Sequence, residues 1–308
     1  MKGENTYEVV IIGGSNAGLS TAMSLGRSLR KVLVIDSGKP CNAPTPYSHN
    51  FLTRDGATPE EISTIAKEQV LSYPSVHFQE GLAQSAEKKE DGSFDVALDN
   101  GHMISAQKLV IATGMKDILP QIPGFQECWG KSVIHCPYCH GYEVHHTKTG
   151  VLANGERSYE FASMIQHWTD DLTLFTNGVA DLTNEERSNL SQLNVAIDER
   201  PIQILHHVNG QIEKIEFEDQ STFALHALYA AVPTEQHSTL ASELGCLITE
   251  AGYIEVDPFQ KTTVEGVYAV GDCTSPFRKV SIAVASGSIC GAALNREMIQ
   301  EDIERKIS

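Results

Sequence analysis

The chain has 308 residues, 41% of them apolar, and a formal net charge of −17 at neutral pH. This length is sufficient for two domains of ordinary size, each with its own core. The negative charge argues against nucleic acid or an anionic membrane as a partner, and no apolar run approaches membrane-spanning length. Seven cysteines, an odd number spread thinly along the chain, suit a reducing compartment, and we predict a cytoplasmic protein.

The first predicted unit is a strand, a glycine-rich turn and a helix. Residues Tyr7–Ile12 form a β-branched run, GGSNAG at 13–18 forms the turn, and 19–30 have a helical pattern. In the dinucleotide-binding fingerprint, glycines at such a turn let the backbone approach a pyrophosphate at a helix N-terminus. The order of elements therefore predicts a nucleotide site here.

A second strand supplies the acid that this fingerprint requires. The strand at 31–35 ends at Asp36, which lies 36 − 13 = 23 positions after Gly13. An acid about 20 residues beyond the first glycine binds a ribose hydroxyl, and we predict this role for Asp36. Ser15 replaces the second glycine, so the turn must accept a small side chain close to the phosphate.

The next elements are a loop, a helix and several short strands. A loop rich in proline, asparagine and glycine covers 40–56, and a helix with Pro59 at its first position runs to about Ser72. Three short strands at 76–78, 94–98 and 103–105 predict an antiparallel meander. A buried strand then ends in Ala112-Thr113-Gly114, small residues suited to close contact with a nucleotide.

The chemistry of the chain is predicted to lie at Cys136-Pro137-Tyr138-Cys139-His140. Two cysteines at this spacing can close a disulfide or share one thiolate, and a helix that begins at Pro137 would lower the pKa of Cys136. His140, if protonated, would stabilise a thiolate and could carry a proton. Half of a zinc site is the alternative, but zinc motifs usually supply a second cysteine pair, which this sequence lacks, and we predict no metal.

The segment after the cysteines repeats the layout of the first unit in an eroded form. A strand at 149–152, a turn at 153–158, a helix at 159–168 and a strand at 172–175 follow in order. Ala153 and Ser158 stand where the first and third glycines would be, and Thr176-Asn177-Gly178 offers neither an acid for a ribose nor arginines for a 2′-phosphate. Use of NAD(P)H therefore stays open, and a retained fold without a nucleotide is the alternative.

The last segment predicts a return to the first unit. Hairpin strands around Asn209-Gly210 precede a buried strand that closes on Gly271-Asp272, and a long helix covers 280–306.

This arrangement resembles the low-molecular-weight thioredoxin reductases and their relatives among the FAD-dependent pyridine-nucleotide disulfide oxidoreductases. The resemblance covers nearly the whole chain and rests on GGSNAG (13–18), HNFLTRDG (49–56), the ATG turn (112–114), CPYC (136–139) and VYAVGD (267–272). It implies an α/β fold with two Rossmann-like three-layer domains. The FAD domain would be discontinuous, at 1–115 and 246–308, and an NAD(P)H-binding-like domain carrying the CxxC would be inserted at 116–245.

The same resemblance implies roles for individual residues. Cys139 would face the flavin, and Cys136 would be the thiol that exchanges with the substrate. It also implies a homodimer whose inserted domain rotates between two half-reactions. The cofactor-binding residues are predicted to be Gly13, Ser15, Gly18 and Asp36 for the ADP part, Asn50, Lys279 and Val280 near the flavin, Asp272 on the ribityl or phosphate region, and Thr113 and Gly271 in the adjoining turns.

Departures from the family pattern leave the function partly open. His140 stands where thioredoxin reductases carry an aspartate, and CPYCHGYE resembles the branch that includes flavin oxidases of dithiol natural products. We predict a FAD-dependent thiol-disulfide oxidoreductase that acts on a thioredoxin-like protein or a small-molecule disulfide, with an electron donor that need not be NADPH. The alternatives are a dithiol oxidase that uses oxygen and a redox-sensing flavoprotein without turnover.

Overall fold

The computed structural model describes residues 6–307, and their contacts divide the chain into two compact units. The first unit comprises the chain up to Ala43, Glu60–Lys116, and the chain from Thr234 onward. The second unit comprises Pro44–Pro59 and Asp117–Pro233. Each unit is described below by itself.

The first unit is built on a seven-stranded sheet in the order β3-β2-β1-β6-β5-β4, with β17 paired to β6. Strands β3, β2, β1, β6 and β17 are parallel, whereas β4, β5 and β6 form an antiparallel meander. The elements of this unit are β1 (Thr6–Ile12), α1 (Asn16–Arg27), β2 (Val32–Asp36), α2 (Pro59–Leu71), β3 (Val76–Glu80), β4 (Ala83–Lys88), β5 (Phe94–Leu98), β6 (Met103–Ile111), β7 (Met115–Asp117, whose last residue belongs to the second unit), β16 (Thr234–Gln236), α7 (Leu240–Glu243), β17 (Val267–Ala269) and α8 (Val280–Ile307).

Two predictions about this sheet were wrong in detail. The strand at 76–80 does not join the meander but pairs in parallel with β2, at the edge of the sheet. The segments at 103–105 and 108–111 are one continuous strand, β6, whose C-terminal half is buried between β1 and β17. Polar residues in its N-terminal half made the strand look interrupted in the sequence.

Helix α8 packs against α1 through small residues and is linked to the sheet by a network of charged residues. Gly287 packs where any side chain would collide with the Ala17 carbonyl, and the Ser20 hydroxyl donates to the Val284 carbonyl at 2.7 Å. Lys108, only 6% exposed, pairs with Glu297 at 3.0 Å and also with Glu301. The last helix is therefore part of the core of the first unit.

The second unit has a five-stranded parallel sheet in the order β11-β10-β9-β15-β8, and a three-stranded antiparallel sheet, β12-β13-β14. The predicted hairpin turn at Asn209-Gly210 is confirmed, and both residues have positive φ. The elements are α3 (Phe125–Cys128), β8 (Val133–Ile134), α4 (Pro137–His140), β9 (Thr149–Leu152), α5 (Ser158–Ile165), β10 (Leu172–Phe175), α6 (Asn184–Gln192), β11 (Ala196–Asp198), β12 (Ile202–Val208), β13 (Gln211–Phe217), β14 (Thr222–Ala224) and β15 (Ala227–Ala230).

Strand, turn, helix and parallel strand thus recur in both units, as β1-α1-β2 and as β9-α5-β10. The predicted α/β class with two Rossmann-like units is confirmed. Within residues 6–307, no helix combines the length and apolar character needed to cross a bilayer.

Candidate active site

The glycine turn of the first unit is too tight to accept side chains. A Cβ atom on Gly18 would collide with the Gly13 carbonyl oxygen, and one on Gly14 would lie 2.8 Å from the Asp36 Cβ. Ser15 is the N-cap of α1, but its side chain makes no capping hydrogen bond. The first N–H groups of α1 are therefore left to bind an anion, which is the function of this turn in dinucleotide sites.

Asp36 lies beside this turn at the end of β2. Its Oδ1 accepts a hydrogen bond from the Gly14 backbone N–H at 3.0 Å, and its Oδ2 accepts one from the Gly38 N–H at 3.3 Å. These bonds hold the carboxylate at the edge of the turn, which is the position the fingerprint assigns to a ribose ligand.

Residues from distant parts of the chain meet at the same sheet edge. Gly271 follows β17 and packs so close to α1 that a Cβ on it would lie 2.8 Å from the Ala17 Cβ. Its N–H donates to the Ser286 hydroxyl of α8 at 3.0 Å. Asp272 follows and lies 3.6 Å from the Arg278 guanidinium. In the sequence, Arg278 is followed by Lys279 and by Val280, the first residue of α8.

Thr113 lies in the turn after β6, and its hydroxyl is buried without a hydrogen-bond partner among residues 6–307. A buried hydroxyl of this kind normally finds its partner in a bound group or an ordered water, because leaving it unpaired is unfavourable. The tight glycine turn, the uncapped helix and this hydroxyl together fit a dinucleotide such as FAD. Asn50 is exposed and belongs to the second unit, where its N–H donates to Asp55 at 2.7 Å.

Two of the cysteines of the second unit form a disulfide, Cys136–Cys139, with Cα atoms 5.3 Å apart, whereas Cys128 is buried and free. Cys136 is the N-cap of α4 and Pro137 is its first residue, as predicted. Both cysteine residues of the disulfide are partly exposed. Residues 6–307 contain no group of three or more His, Cys, Asp or Glu side chains arranged to hold a metal ion.

His140 ends α4 and is surrounded by other titratable groups of the second unit. Burial lowers the pKa of His140, the Glu143 carboxylate opposes this effect, and the nearby His49 lowers the pKa further. The Glu143 carboxylate in turn lies 3.3 Å from the His49 ring. At neutral pH the His140 imidazole is therefore uncharged. An uncharged imidazole can act as a base that accepts a proton, whereas it cannot stabilise a thiolate as a permanent cation would.

Glu143 and His49 were not among the predicted site residues. Glu143 lies three positions after His140, which was a usable signal, because residues three apart share one face of a helical turn. His49 belongs to a loop far away in the chain, and no local pattern connects it to the cysteines.

The eroded fingerprint of the second unit is closed by its own side chains. The Asn154 amide nitrogen donates to the Val179 carbonyl at 2.9 Å, and its oxygen accepts from the N–H groups of Gly155 and Asp181 at 3.0 and 2.9 Å. Asn154 thus ties the turn after β9 to the segment after β10. In a dinucleotide site these two turns hold the pyrophosphate and the ribose.

The cation near this segment is also engaged. Arg187 donates to the Ala180 carbonyl at 3.1 Å and pairs with Glu199 at 2.7 Å. Its positive charge is therefore balanced by a carboxylate, and Asp181 adds a negative charge beside the turn. The charge of Arg187 is thus not available to a nucleotide phosphate, although Arg157 stands at the N-cap of α5 in the same turn.

A turn shaped for a dinucleotide, together with a CxxC disulfide on a second Rossmann-like unit, is typical of a dinucleotide-dependent disulfide oxidoreductase. The model of the pyridine nucleotide-disulphide oxidoreductase family matches residues 7–287. The chain belongs to this family, and it is a thioredoxin reductase-like, FAD-dependent enzyme. The predicted resemblance, cofactor and enzyme class are confirmed.

Several known proteins are similar to the chain over nearly its full length. Thioredoxin reductase tcpT of Claviceps purpurea is 33% identical, with 98% of this chain and 97% of the relative covered. The crystal structure of HlmI has a TM-score of 0.94 at 34% identity, covering 100% of this chain and 97% of that one. The putative thioredoxin reductase TrxB of Bacillus anthracis has a TM-score of 0.92 at 28% identity, covering 96% and 99%.

Proposed function

We propose that the protein exchanges two electrons between bound FAD and an external disulfide or dithiol through the Cys136–Cys139 pair. The observation that carries this proposal is the disulfide itself, partly exposed at the start of α4 and followed by a neutral His140. FAD, when bound, accepts or supplies two electrons. We place its ADP part at Gly13, Ser15, Gly18 and Asp36. The remaining contacts are proposed at Asn50, Thr113, Gly271, Asp272, Lys279 and Val280.

The exchange with a substrate dithiol can be written for the residues of this chain. One substrate thiolate attacks the Cys136 sulfur, the Cys136–Cys139 bond breaks, and Cys139 leaves as a thiolate. The second substrate thiol then attacks the substrate sulfur bonded to Cys136, which releases the substrate disulfide and leaves both cysteines reduced. His140 accepts the proton of the attacking thiol. Reduction of a substrate disulfide is the reverse sequence, in which Cys136 attacks.

Substitution of each cysteine tests this proposal. Cys136→Ser and Cys139→Ser should each abolish turnover with dithiol and disulfide substrates and should retain stoichiometric FAD. The absorption spectrum of the purified variants checks the cofactor content. Activity that persists in both variants would contradict the proposal.

A second candidate function is a dithiol oxidase, and the Asn154 contacts favour it. The Asn154 side chain ties the turn of the second unit to Val179 and Asp181, which argues against a nicotinamide donor at this turn. The overall reaction would then be a dithiol plus O₂ giving a disulfide plus H₂O₂. Family membership makes the chain an enzyme, so the alternative of a non-catalytic sensor has no support.

Anaerobic mixing with electron donors distinguishes the two directions. NADPH, NADH, reduced flavodoxin and a small dithiol are each mixed with the oxidised enzyme, and bleaching of the flavin band is followed. We expect the dithiol to bleach it and NADPH not to. Rapid bleaching by micromolar NADPH would remove the oxidase candidate and would leave the reductase.

The partner and the assembly are also proposals. A thioredoxin-like protein or a small disulfide would meet the surface at Cys136. The net charge of −17 opposes an acidic protein partner unless a local patch outweighs it. We propose a homodimer in the cytoplasm, which sedimentation and cell fractionation can test.

A further inference from the structure

Gln236 ends β16 in the first unit, and its side chain is held by two turns of the backbone. The amide nitrogen donates to the Gly252 carbonyl at 2.8 Å and to the Cys273 carbonyl at 2.9 Å. Both hydrogens of the amide group are thereby used.

These two hydrogen bonds determine the positions of the amide nitrogen and the amide oxygen of Gln236. If the group were rotated by half a turn, its oxygen would face two carbonyl oxygens and no donor, which is unfavourable. The Gln236 oxygen therefore points away from Gly252 and Cys273.

This oxygen is shielded from solvent and accepts no hydrogen bond from any donor within residues 6–307. A buried acceptor without a donor is rare in folded proteins and costs stability. The Thr113 hydroxyl has the same property. The Gln236 oxygen and the Thr113 hydroxyl of the first unit therefore both lack a hydrogen-bond partner within residues 6–307.

Thr113 lies at the sheet edge where the predicted cofactor residues meet, and Gln236, which belongs to the separate β7–β16 pair, contacts this edge through the Cys273 carbonyl. Thr113 and Gly114 follow β6, and Cys273 lies one residue after Asp272, beyond β17. The backbone N–H of His237, the residue after Gln236, donates to the Gly114 carbonyl at 3.3 Å. In open α/β sheets, ligands bind beyond the carboxyl ends of the parallel strands, which is where these residues lie.

We propose that Gln236 is a cofactor-binding residue whose amide oxygen accepts a hydrogen bond from an N–H or O–H group of FAD. Most polar atoms of the flavin ring are acceptors, and its donor in the oxidised state is one imide N–H; the ribityl chain adds hydroxyl donors. The Gln236 amide oxygen, whose orientation is fixed by the two backbone carbonyls, can accept a hydrogen bond from the imide N–H or from a ribityl hydroxyl. The inference rests on FAD as the cofactor and is independent of the direction of electron flow.

The test compares Gln236→Met with Gln69→Met, a matched control on the exposed side of α2. Apoprotein of each is titrated with FAD, and quenching of flavin fluorescence gives the dissociation constant. We expect Gln236→Met to bind FAD about tenfold more weakly, since a lost hydrogen bond of ordinary strength has this effect. Gln69→Met should match the wild type.

The spectrum of the bound flavin identifies the donor. Weaker binding with shifted visible bands assigns the contact to the imide N–H, and weaker binding with unchanged bands assigns it to a ribityl hydroxyl. An unchanged dissociation constant, with only the urea midpoint of the apoprotein lowered, would overturn the proposal, because the amide would then serve structure alone.

A second measurement covers failure of Gln236→Met to fold. Wild-type protein with ¹³C-labelled glutamine side-chain carbonyls is compared before and after FAD addition. The Gln236 resonance, assigned by its loss in Gln236→Glu, should move when FAD binds. A resonance that does not move would overturn the proposal.

Discussion

Replacing Glu297 by glutamine should weaken the first unit in a manner that depends on pH. Glu297 lies on α8 and accepts hydrogen bonds from Lys108 at 3.0 Å, Lys261 at 2.7 Å and the Tyr268 hydroxyl at 2.8 Å. Partial burial acts to raise the pKa of this carboxyl, but the three hydrogen bonds outweigh it and lower the pKa to about 2.

The size of the effect follows from this pKa. The ordinary pKa of a glutamate carboxyl is 4.5. Each tenfold change in proton affinity corresponds to about 1.4 kcal/mol. The charged Glu297 carboxylate therefore contributes up to about 3 kcal/mol to the free energy of folding at pH 7. Since the folded-state pKa is the lower one, this contribution is complete well above pH 4.5 and is lost as the pH falls toward 2. About 2 kcal/mol should remain at pH 3.5.

Urea unfolding of the FAD-loaded protein, followed by circular dichroism, measures the effect between pH 7 and the lowest pH at which the fold persists. Glu297→Gln should lose 2–3 kcal/mol at pH 7, to order of magnitude, and progressively less toward acid. Glu304→Gln is the control, because Glu304 is exposed on the same helix, where it accepts a hydrogen bond from the Gln300 amide at 2.9 Å and lies outside the Lys108–Glu297–Lys261 network. A loss that is equal at pH 7 and pH 3 would refute the electrostatic reasoning, because more than half of the contribution should be gone at pH 3.

Two further predictions concern the active site. Glu143→Gln removes the carboxylate that opposes burial at His140, so the pKa of His140 should fall further and the acidic limb of the pH profile of kcat/KM should move to lower pH; a limb that does not move would show that His140 is not the titrating base. Gly18→Ala places a methyl group against the Gly13 carbonyl, so the purified protein should contain less than about a tenth of the wild-type FAD. A variant with the full FAD content would contradict the predicted nucleotide site at this turn.

The local parts of the fold were predictable because their signals are local. The β1-turn-α1 unit combines a β-branched run, glycines that only a tight turn requires, and a helical pattern. Its helix begins at Asn16 rather than Leu19, because small and polar residues form the first turn. Strand β4 was missed because its sequence, AQSAEK, is mostly exposed and carries little apolar pattern.

Features that depend on distant residues could not be predicted. The parallel pairing of β3 with β2 is a tertiary choice, and a short alternating strand does not encode it. The CxxC and the neighbouring His140 were visible in the sequence, but the burial that lowers the pKa of His140 and the approach of His49 were not. The same holds for the Asn154 contacts, which join two turns about 25 residues apart.

The position of α8 in the first unit has a consequence for biosynthesis. This helix supplies Cys290, Leu294 and Met298 to the same buried cluster as β1 and α1. The ribosome synthesises β1 and α1 early, but their core stays incomplete until α8 has left the exit tunnel. Most of the second unit, Asp117–Pro233, is one continuous stretch and can fold during that delay. The nascent nucleotide-binding sheet therefore keeps apolar surface uncovered until α8 has been synthesised.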